Sequence, residues 1–501
     1  MVSQLPVLQV ILPLMAAPLC LLLKRSTLVW LFCLIVSFLS LLISILLVQQ
    51  VSTSGPIDYA FGGWDVPWGI GYRIDQLNVL LLIVITAMSS VVLIAAKESI
   101  AREIDPEKHV YFYILYLLSL SGMLGIVATG DAFNIFVFLE ITSLSVYALI
   151  AMGRHRRALW ASYQYLIMGT IGATFILIGI GMMYQMTGTL NITDLSVRLA
   201  ELPQKRTILT AFVFIIVGVC LKLALFPLHL WLPNAYTYAP SIVSAFLAAT
   251  ATKVAIYLLI RFTYSVFGPS LSFAAIPLQT LFMALGLVGI FVASVTAIYQ
   301  TNVKKLFAYS SIAHIGYMIL GFSTGTVAGL TATLLHVFNH ALMKSALFLA
   351  LAAVMLRIGS VQLSSMQGLG RQMPWTMAAI VLAGLSLIGV PLTVGFVSKW
   401  YLLVAIIEQG NWVVAGLILM GSLLAVIYVW RIVEVAYFKE PATAQKGDVL
   451  EGAAGGSTEA PLSFLIPIWL LVGANIYFGI DTRFSTQLAQ SAAQSLFGVS
   501  P

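Results

Sequence analysis

Charge is what this sequence has least of. Only 9% of its 501 residues are charged, against roughly 25% in soluble domains, and its mean hydropathy is +1.02. That excludes a soluble globular enzyme. Cysteine is scarce as well. Cys20, Cys33 and Cys220 lie in apolar runs, with no C-x-x-C or Cys/His finger spacing, which argues against a disulfide framework, a zinc site or a c-type haem. No G-x-x-x-x-G-K-[ST] segment is present, nor a strand–helix unit to host one, so ATP-driven pumping is disfavoured. The net charge of +7 fits the positive-inside bias of a membrane protein better than an affinity for nucleic acid.

What is there instead is a series of apolar runs, each long enough at about 20 residues to cross a bilayer as a helix. Fourteen spans are predicted, at 6–23, 27–50, 75–96, 110–129, 131–152, 160–187, 207–232, 241–266, 271–299, 303–323, 326–356, 373–407, 411–437 and 460–480. The first run precedes the positive pair Lys24-Arg25 instead of following it, so it reads as a span and not as a cleaved signal peptide. With the first loop inside, the inner loops hold fifteen positive residues: Lys24, Arg25, Lys97, Arg102, Lys108, Arg154, Arg156, Arg157, Lys304, Lys305, Arg357, Arg371, Arg431, Lys439 and Lys446. The outer segments hold five: Arg73, Arg198, Lys205, Arg206 and Arg483. This bias predicts both termini outside. The segment 51–74, with Gly62-Gly63-Trp64 and Trp68, reads as an ordered outer loop, and 438–459, rich in Ala, Gly, Ser and Glu, as a flexible inner one.

Twenty of the 25 basic residues are accounted for in this way. The remaining five are Lys222, Lys253, Arg261, Lys344 and Lys399. Arg261, in the outer half of its span, is expected to snorkel. The four lysines lie well inside apolar runs, and Glu140 is the carboxylate deep in a span. A charge at mid-helix costs about 2.5–3.5 kcal/mol on insertion scales, so such residues pair, line hydrated cavities or mark ion paths. A buried ion pair or a lysine bonded to carbonyls would explain one of them, but four lysines with a glutamate and histidines point to a proton path. His336, His340 and Lys344 recur every fourth residue and share one helix face, covering about 12 Å along the helix axis. A haem bound at H-x-x-x-H would need a second histidine pair on another helix, and the sequence offers none. His314 and His229 are secondary candidates.

Pro227 and Pro391 lie inside the seventh and twelfth spans. Each removes a backbone donor and frees a carbonyl four residues earlier, Leu223 and Leu387. Broken backbone within a membrane is tolerated only where protein or a hydrated cavity surrounds it, and each break has a lysine nearby, Lys222 and Lys399. The breaks are five spans apart, an odd offset that suggests two inverted five-helix repeats, a transporter feature. The expected division is 1–109 (spans one to three), 110–266 (first repeat, spans four to eight), 271–437 (second repeat, spans nine to thirteen) and 438–501 (inner loop and last span). The expected fold class is all-α and polytopic.

Several segments carry a family resemblance: Phe133 to Leu149 (FNIFVFLEITSLSVYAL), Leu221 to Pro240 (LKLALFPLHLWLPNAYTYAP), Ala251-Thr252-Lys253, Leu306 to His314 (LFAYSSIAH), His336 to Lys344 (HVFNHALMK) and Gly389 to Lys399 (GVPLTVGFVSK). They resemble the antiporter-like subunits shared by respiratory complex I, membrane-bound hydrogenases and Mrp-type Na+/H+ antiporters. Within that family, the Gly-Gly-Trp loop and the length resemble the D-type subunits of Mrp antiporters. The resemblance implies a glutamate–lysine pair, Glu140 and Lys222, and a link from Lys253 through His336 and His340 to Lys399. It also implies small hydrophobic partner subunits and a larger homologous one, in a prokaryotic cell membrane. The expected function is proton translocation within a secondary Na+/H+ antiporter, with no cofactor, metal or nucleic acid. The alternative is a proton-pumping subunit, itself without redox chemistry, of a complex I-like NADH:quinone oxidoreductase or a membrane-bound hydrogenase.

Overall fold

The structure, a computed structural model, describes residues 4–23, 25–202, 206–274, 277–440 and 459–498. Lys24, Lys205, Lys446 and most of the 438–459 loop, all assigned to loops above, lie outside the described residues. The chain is an all-α polytopic membrane protein. Its helices are α1 (Leu5–Leu19), α2 (Ser26–Ser54), α3 (Gln76–Ile94), α4 (Ala96–Glu103), α5 (His109–Ala128), α6 (Ala132–Ala151), α7 (Arg157–Thr187), α8 (Ile192–Glu201), α9 (Arg206–Leu223), α10 (Trp231–Tyr238) and α11 (Ser241–Ile260). They continue with α12 (Gly268–Ala274), α13 (Leu278–Ile298), α14 (Val303–Ser323), α15 (Val327–Ile358), α16 (Leu369–Gln372), α17 (Pro374–Ile388), α18 (Val394–Glu408), α19 (Trp412–Val433), α20 (Leu462–Ile480) and α21 (Arg483–Leu496). Among the described residues, 13 helices are long and apolar enough to cross a membrane. The predicted twelfth span is instead two shorter helices, α17 and α18, that meet at the Pro391 break, and neither reaches that length.

Helices α11 and α14 are buried almost throughout, whereas α2, α7 and α19 turn Leu31, Ile167 and Leu423 outward. That is the pattern of a bundle solvated by lipid, in which apolar side chains face out as well as in. The 51–74 segment forms an antiparallel hairpin, β1 (Ile57–Ala60) and β2 (Gly71–Ile74), with Ile57 opposite Ile74 and Ala60 opposite Gly71. Trp64 and Trp68 are exposed in its connection. Past the last span, α21 packs its small residues, Ser485, Ala489 and Ala492, against α15 and α3.

Two charges are not where the sequence places them. Arg261 does not snorkel. It is buried in a π-helical turn that prolongs α11, and its guanidinium grips Asp75 at 2.8 and 2.9 Å. Asp75 also caps α3 through the amides of Leu77 and Asn78, and Asn78 bonds Tyr257 and the Val127 carbonyl. The network joins α3, α5 and α11 with every charge partnered, the one condition under which a buried ion pair is tolerable. Lys304, counted above as a loop residue, lies in the first turn of α14 and is only 2% exposed.

Leaving one partner of such a pair unmatched costs about 3–5 kcal/mol. Arg261→Met is therefore expected to lower the thermal stability of the purified protein sharply. Adding Asp75→Asn to it should cost less than the sum of the two single changes, since no uncompensated charge is left. Strict additivity in thermal unfolding would contradict this account.

Candidate functional site: a buried row of lysines and histidines

The two breaks create the site. Helix α9 ends at Leu223 and the backbone resumes as α10 at Trp231; α17 ends at Ile388 and α18 starts at Val394. Each gap holds a non-glycine residue with positive φ, Ala224 at 57° and Leu392 at 72°. That conformation costs an L-residue roughly 1–2 kcal/mol and persists where surrounding packing imposes it. Gly395 shows how tight that packing is: a Cβ there would collide with the Ser386 carbonyl oxygen.

Lys399 reaches back across its break. Its Nζ donates to the Leu387 carbonyl at 3.1 Å, the one Pro391 frees, and to Ile388 at 2.8 Å and Ser422 Oγ at 3.0 Å. Three oxygens thus hold an ammonium without a counter-ion, beside the Tyr317 ring at 4.8 Å. The other break is built differently. Trp231 Nε1 caps the Leu221 carbonyl at 3.0 Å, and Lys222, in the last turn of α9, points across to α6 instead. Its Nζ donates to Ser143 Oγ at 2.8 Å, and Glu140 Oε1 stands 4.0 Å away. Glu140 is less deep than its mid-span position suggests: its side chain is 29% exposed against 7% for Lys222. A cavity of about 40 Å³ touches Lys222, lined by Ser143, Tyr165, Ala251 and Ala255. That exceeds the roughly 10–15 Å³ one water needs.

Between the breaks lie the other predicted residues. Lys253 is fully buried on α11 and folds back onto its own helix, donating to the Ala248 carbonyl and, at 3.4 Å, to Thr252 Oγ1. Lys344 donates to the Phe307 carbonyl at 2.9 Å and to Ser310 Oγ, both on α14. The histidines come together. His314 Nδ1 and His336 Nε2 are 2.9 Å apart, and His336 Nδ1 meets Ser398 Oγ at 2.8 Å, next to Lys399. His340 stacks on His314 with centroids 5.2 Å apart, and both its nitrogens are buried without a hydrogen-bond partner among the described residues. The His314 and His336 rings lie nearly parallel and bond each other instead of converging on a point as metal ligands do. His229 stands apart, stacked on Phe226 in the α9–α10 break.

Sequence reasoning named the charged members of this row and missed the neutral ones. Ser143, Ser310, Ser398, Ser422 and Tyr317 supply partners to the buried lysines and histidines. No signal marked them, because serine and threonine are common in membrane helices.

The geometry leads to the comparison with known proteins. The family described as "NADH:quinone oxidoreductase/Mrp antiporter, TM" matches residues 129–425, from the α5–α6 turn into α19. The chain belongs to this family. An NADH-quinone oxidoreductase subunit N from Desulforudis audaxviator is 40% identical over 99% of this chain and 98% of its own length. A D-type subunit of a Na(+)/H(+) antiporter from Alkalihalophilus pseudofirmus is 30% identical over 90% of this chain and 89% of its own. A chain of the membrane-bound sulfane sulfur reductase, an archaeal respiratory membrane complex, superposes with a TM-score of 0.89 at 31% identity, covering 98% of both chains. All the candidate residues fall within the family segment, whereas the Asp75 half of the α3–α11 ion pair precedes it.

The break at Gly395 can be tested without reference to activity. Gly395→Ala should destabilise the protein by about 1–3 kcal/mol, as overpacking does. Gly416→Ala, where a Cβ meets nothing within 4 Å, should be neutral or slightly stabilising. Equal melting temperatures for the two variants would show that the α17–α18 contact is loose.

Proposed function

We propose that this protein is a proton-translocating subunit of a multisubunit membrane complex, and that protons pass along the row Lys222, Lys253, Lys344, His314/His336/His340 and Lys399. The observation that carries the reading is the way the charges are held. Except for Lys222, the lysines of the row have only neutral oxygen partners within bonding distance among the described residues. An amine held by carbonyls and hydroxyls gives up and regains a proton without leaving a counter-ion stranded, whereas a tight ion pair resists both. The Glu140–Lys222 contact, at 4.0 Å, is loose enough to open and close. We infer that opening it lets Lys222 pass its proton toward Lys253, and closing it retains the proton. His340, with two unpartnered nitrogens, receives it next and the His336–Ser398 contact delivers it to Lys399.

The second-repeat lysine faces Tyr317 on α14 as the first-repeat lysine faces Ser143 on α6. This supports the proposed inverted repeats of spans four to eight and nine to thirteen. The proposed orientation, in a prokaryotic cell membrane, keeps both termini outside and the Lys/Arg-rich loops inside.

The first reading of the energy source is a Na+ gradient, in an Mrp-type Na+/H+ antiporter with smaller hydrophobic subunits and a larger homologue as partners. The relative named for a Na(+)/H(+) antiporter supports it. The second reading, a redox-driven complex, is favoured by the 40%-identical oxidoreductase subunit. Purification of the complex from its native membrane separates them: small membrane subunits alone mean antiporter, flavin and iron–sulfur subunits mean oxidoreductase. In either assembly, Glu140→Ala and Lys222→Ala should each abolish proton translocation into sealed vesicles without loss of assembly. Normal translocation by both variants would sink the proposal.

A further inference from the structure

The row described above has no assigned connection to water. A cleft lined by Arg102, Arg154, Arg157 and Lys305 offers one. It encloses about 730 Å³ and is lined by the ends of α4, α10, α14 and α15 together with the turn before α7. Two short backbone contacts frame its rim, Val303 N to the Val361 carbonyl at 2.9 Å and Leu363 N to the Thr301 carbonyl at 2.8 Å. Among the residues lining it is Lys304, the one buried lysine among the described residues that the row does not use. Its Nζ donates to the Ala239 carbonyl at 3.2 Å, at the end of α10, with Glu103 in electrostatic reach.

Lys304 stands on the helix that holds the row together. Helix α14 presents Lys304, Phe307, Ser310, Ser311 and His314. At 3.6 residues per turn these five fall within an arc of about 120°. The Phe307 carbonyl and Ser310 hydroxyl accept from Lys344, and His314 bonds His336. One stripe of one helix therefore begins in the cleft and ends in the histidine cluster. From Lys304 to Ser310 it climbs about 9 Å.

We propose that Lys304 is the proton-exchange group at the mouth of the path, linking the water of this cleft to Lys344. In the inward step a proton leaves Lys304 Nζ, crosses through water to the neutral amine of Lys344, and is replaced on Lys304 from water in the cleft. The outward step is the reverse. The cleft suits protons better than metal cations. Arg102, Arg154, Arg157, Lys304 and Lys305 line it, and Glu103, the one carboxylate in its lining, already accepts from Ser99 Oγ at 2.7 Å and from Ser241 N and Oγ, each at 2.9 Å. With its one lining carboxylate engaged and five cationic side chains around it, the cleft repels an alkali ion, whereas a proton crosses by exchange between water and amine. A metal ion exchanged by the complex takes another route.

This inference rests on the proton-translocating reading, so its test includes a variant that reports on that reading alone. Lys304→Cys is made in the assembled complex and assayed in vesicles of both orientations, beside Lys222→Ala. Proton translocation by Lys304→Cys should fall at least about a hundredfold, the scale of losing a proton-transfer group. Aminoethyl methanethiosulfonate, which rebuilds an amine at that position, should restore most of it, and the sulfonatoethyl reagent should not. The impermeant sulfonatoethyl reagent should block the later rescue only when applied from the face that carries Lys305 and Arg154. Full activity of Lys304→Cys, no rescue by the amine, or access only from the opposite face overturns the assignment. An inactive Lys222→Ala beside a fully active Lys304→Cys defeats the mouth alone; an active Lys222→Ala defeats the translocation reading itself. Should Lys304→Cys not assemble, Lys304→Gln replaces it, because its amide can still donate to the Ala239 carbonyl. Lost transport at unchanged melting temperature then supports the role, and normal transport overturns it.

Discussion

An ammonium group inside a bilayer must be held by oxygen, and in this fold most of that oxygen comes from backbone and hydroxyl groups instead of carboxylates. In a regular helix each carbonyl already accepts within its own segment, so Lys253 and Lys344 must share such carbonyls, using the second lone pair. The chain makes some available by breaking a helix. Pro391 frees the Leu387 carbonyl, the break exposes Ile388 beside it, and Lys399 takes both. Positive φ at Leu392 and the absence of a side chain at Gly395 are the local cost of bringing the two half-helices that close. The site and the strain are parts of one solution.

The same constraint separates structural from working charge. The Asp75–Arg261 pair is bidentate, buried and fully satisfied, and ties three helices together. Nothing about it is poised to change. Lys222 and Glu140 stand farther apart and differ in exposure, and Lys222 borders a small cavity. Both are ion pairs between spans, but only the second has room to open. Burial alone therefore does not separate a structural charge from one proposed to work; the stiffness of what holds it does.

Much of this was legible in the sequence, because membrane solvation is a strong constraint. Thirteen of the fourteen predicted spans, both breaks and every charged member of the row followed from apolar run length, two prolines and the rarity of mid-span charge. What stayed hidden depended on partners distant in the chain. Arg261 looked able to snorkel because its span end was near, and nothing local revealed Asp75, 186 residues earlier, as its partner. Lys304 passed as a loop charge because helix boundaries blur by a residue or two, and a first-turn lysine reads like a flanking one. Ser398 and Ser422 carry no sequence signal at all, since a hydroxyl matters only for what it faces. Helix α21 follows the last apolar run and is too polar to register as a span.

The buried histidines give the row its connectivity. His314 sits on α14, and His336 and His340 sit one turn apart on α15, so two helices must pack closely for the three rings to stack. Neutral imidazole has one donor and one acceptor nitrogen. In the His314–His336–Ser398 chain, moving a proton along one bond therefore reverses the donor sense of the next. If it carries protons as proposed, such a chain must reset after each passage, and its reset needs a group able to exchange partners. His340, with both nitrogens unpartnered against the same rings, is placed to provide it. Filling that position with a fixed hydrogen-bond partner would satisfy two buried atoms and stabilise the fold, yet it would hold the histidine chain in one direction. On the proposed reading, the unsatisfied atoms are a requirement of a reversible path and not a defect of packing.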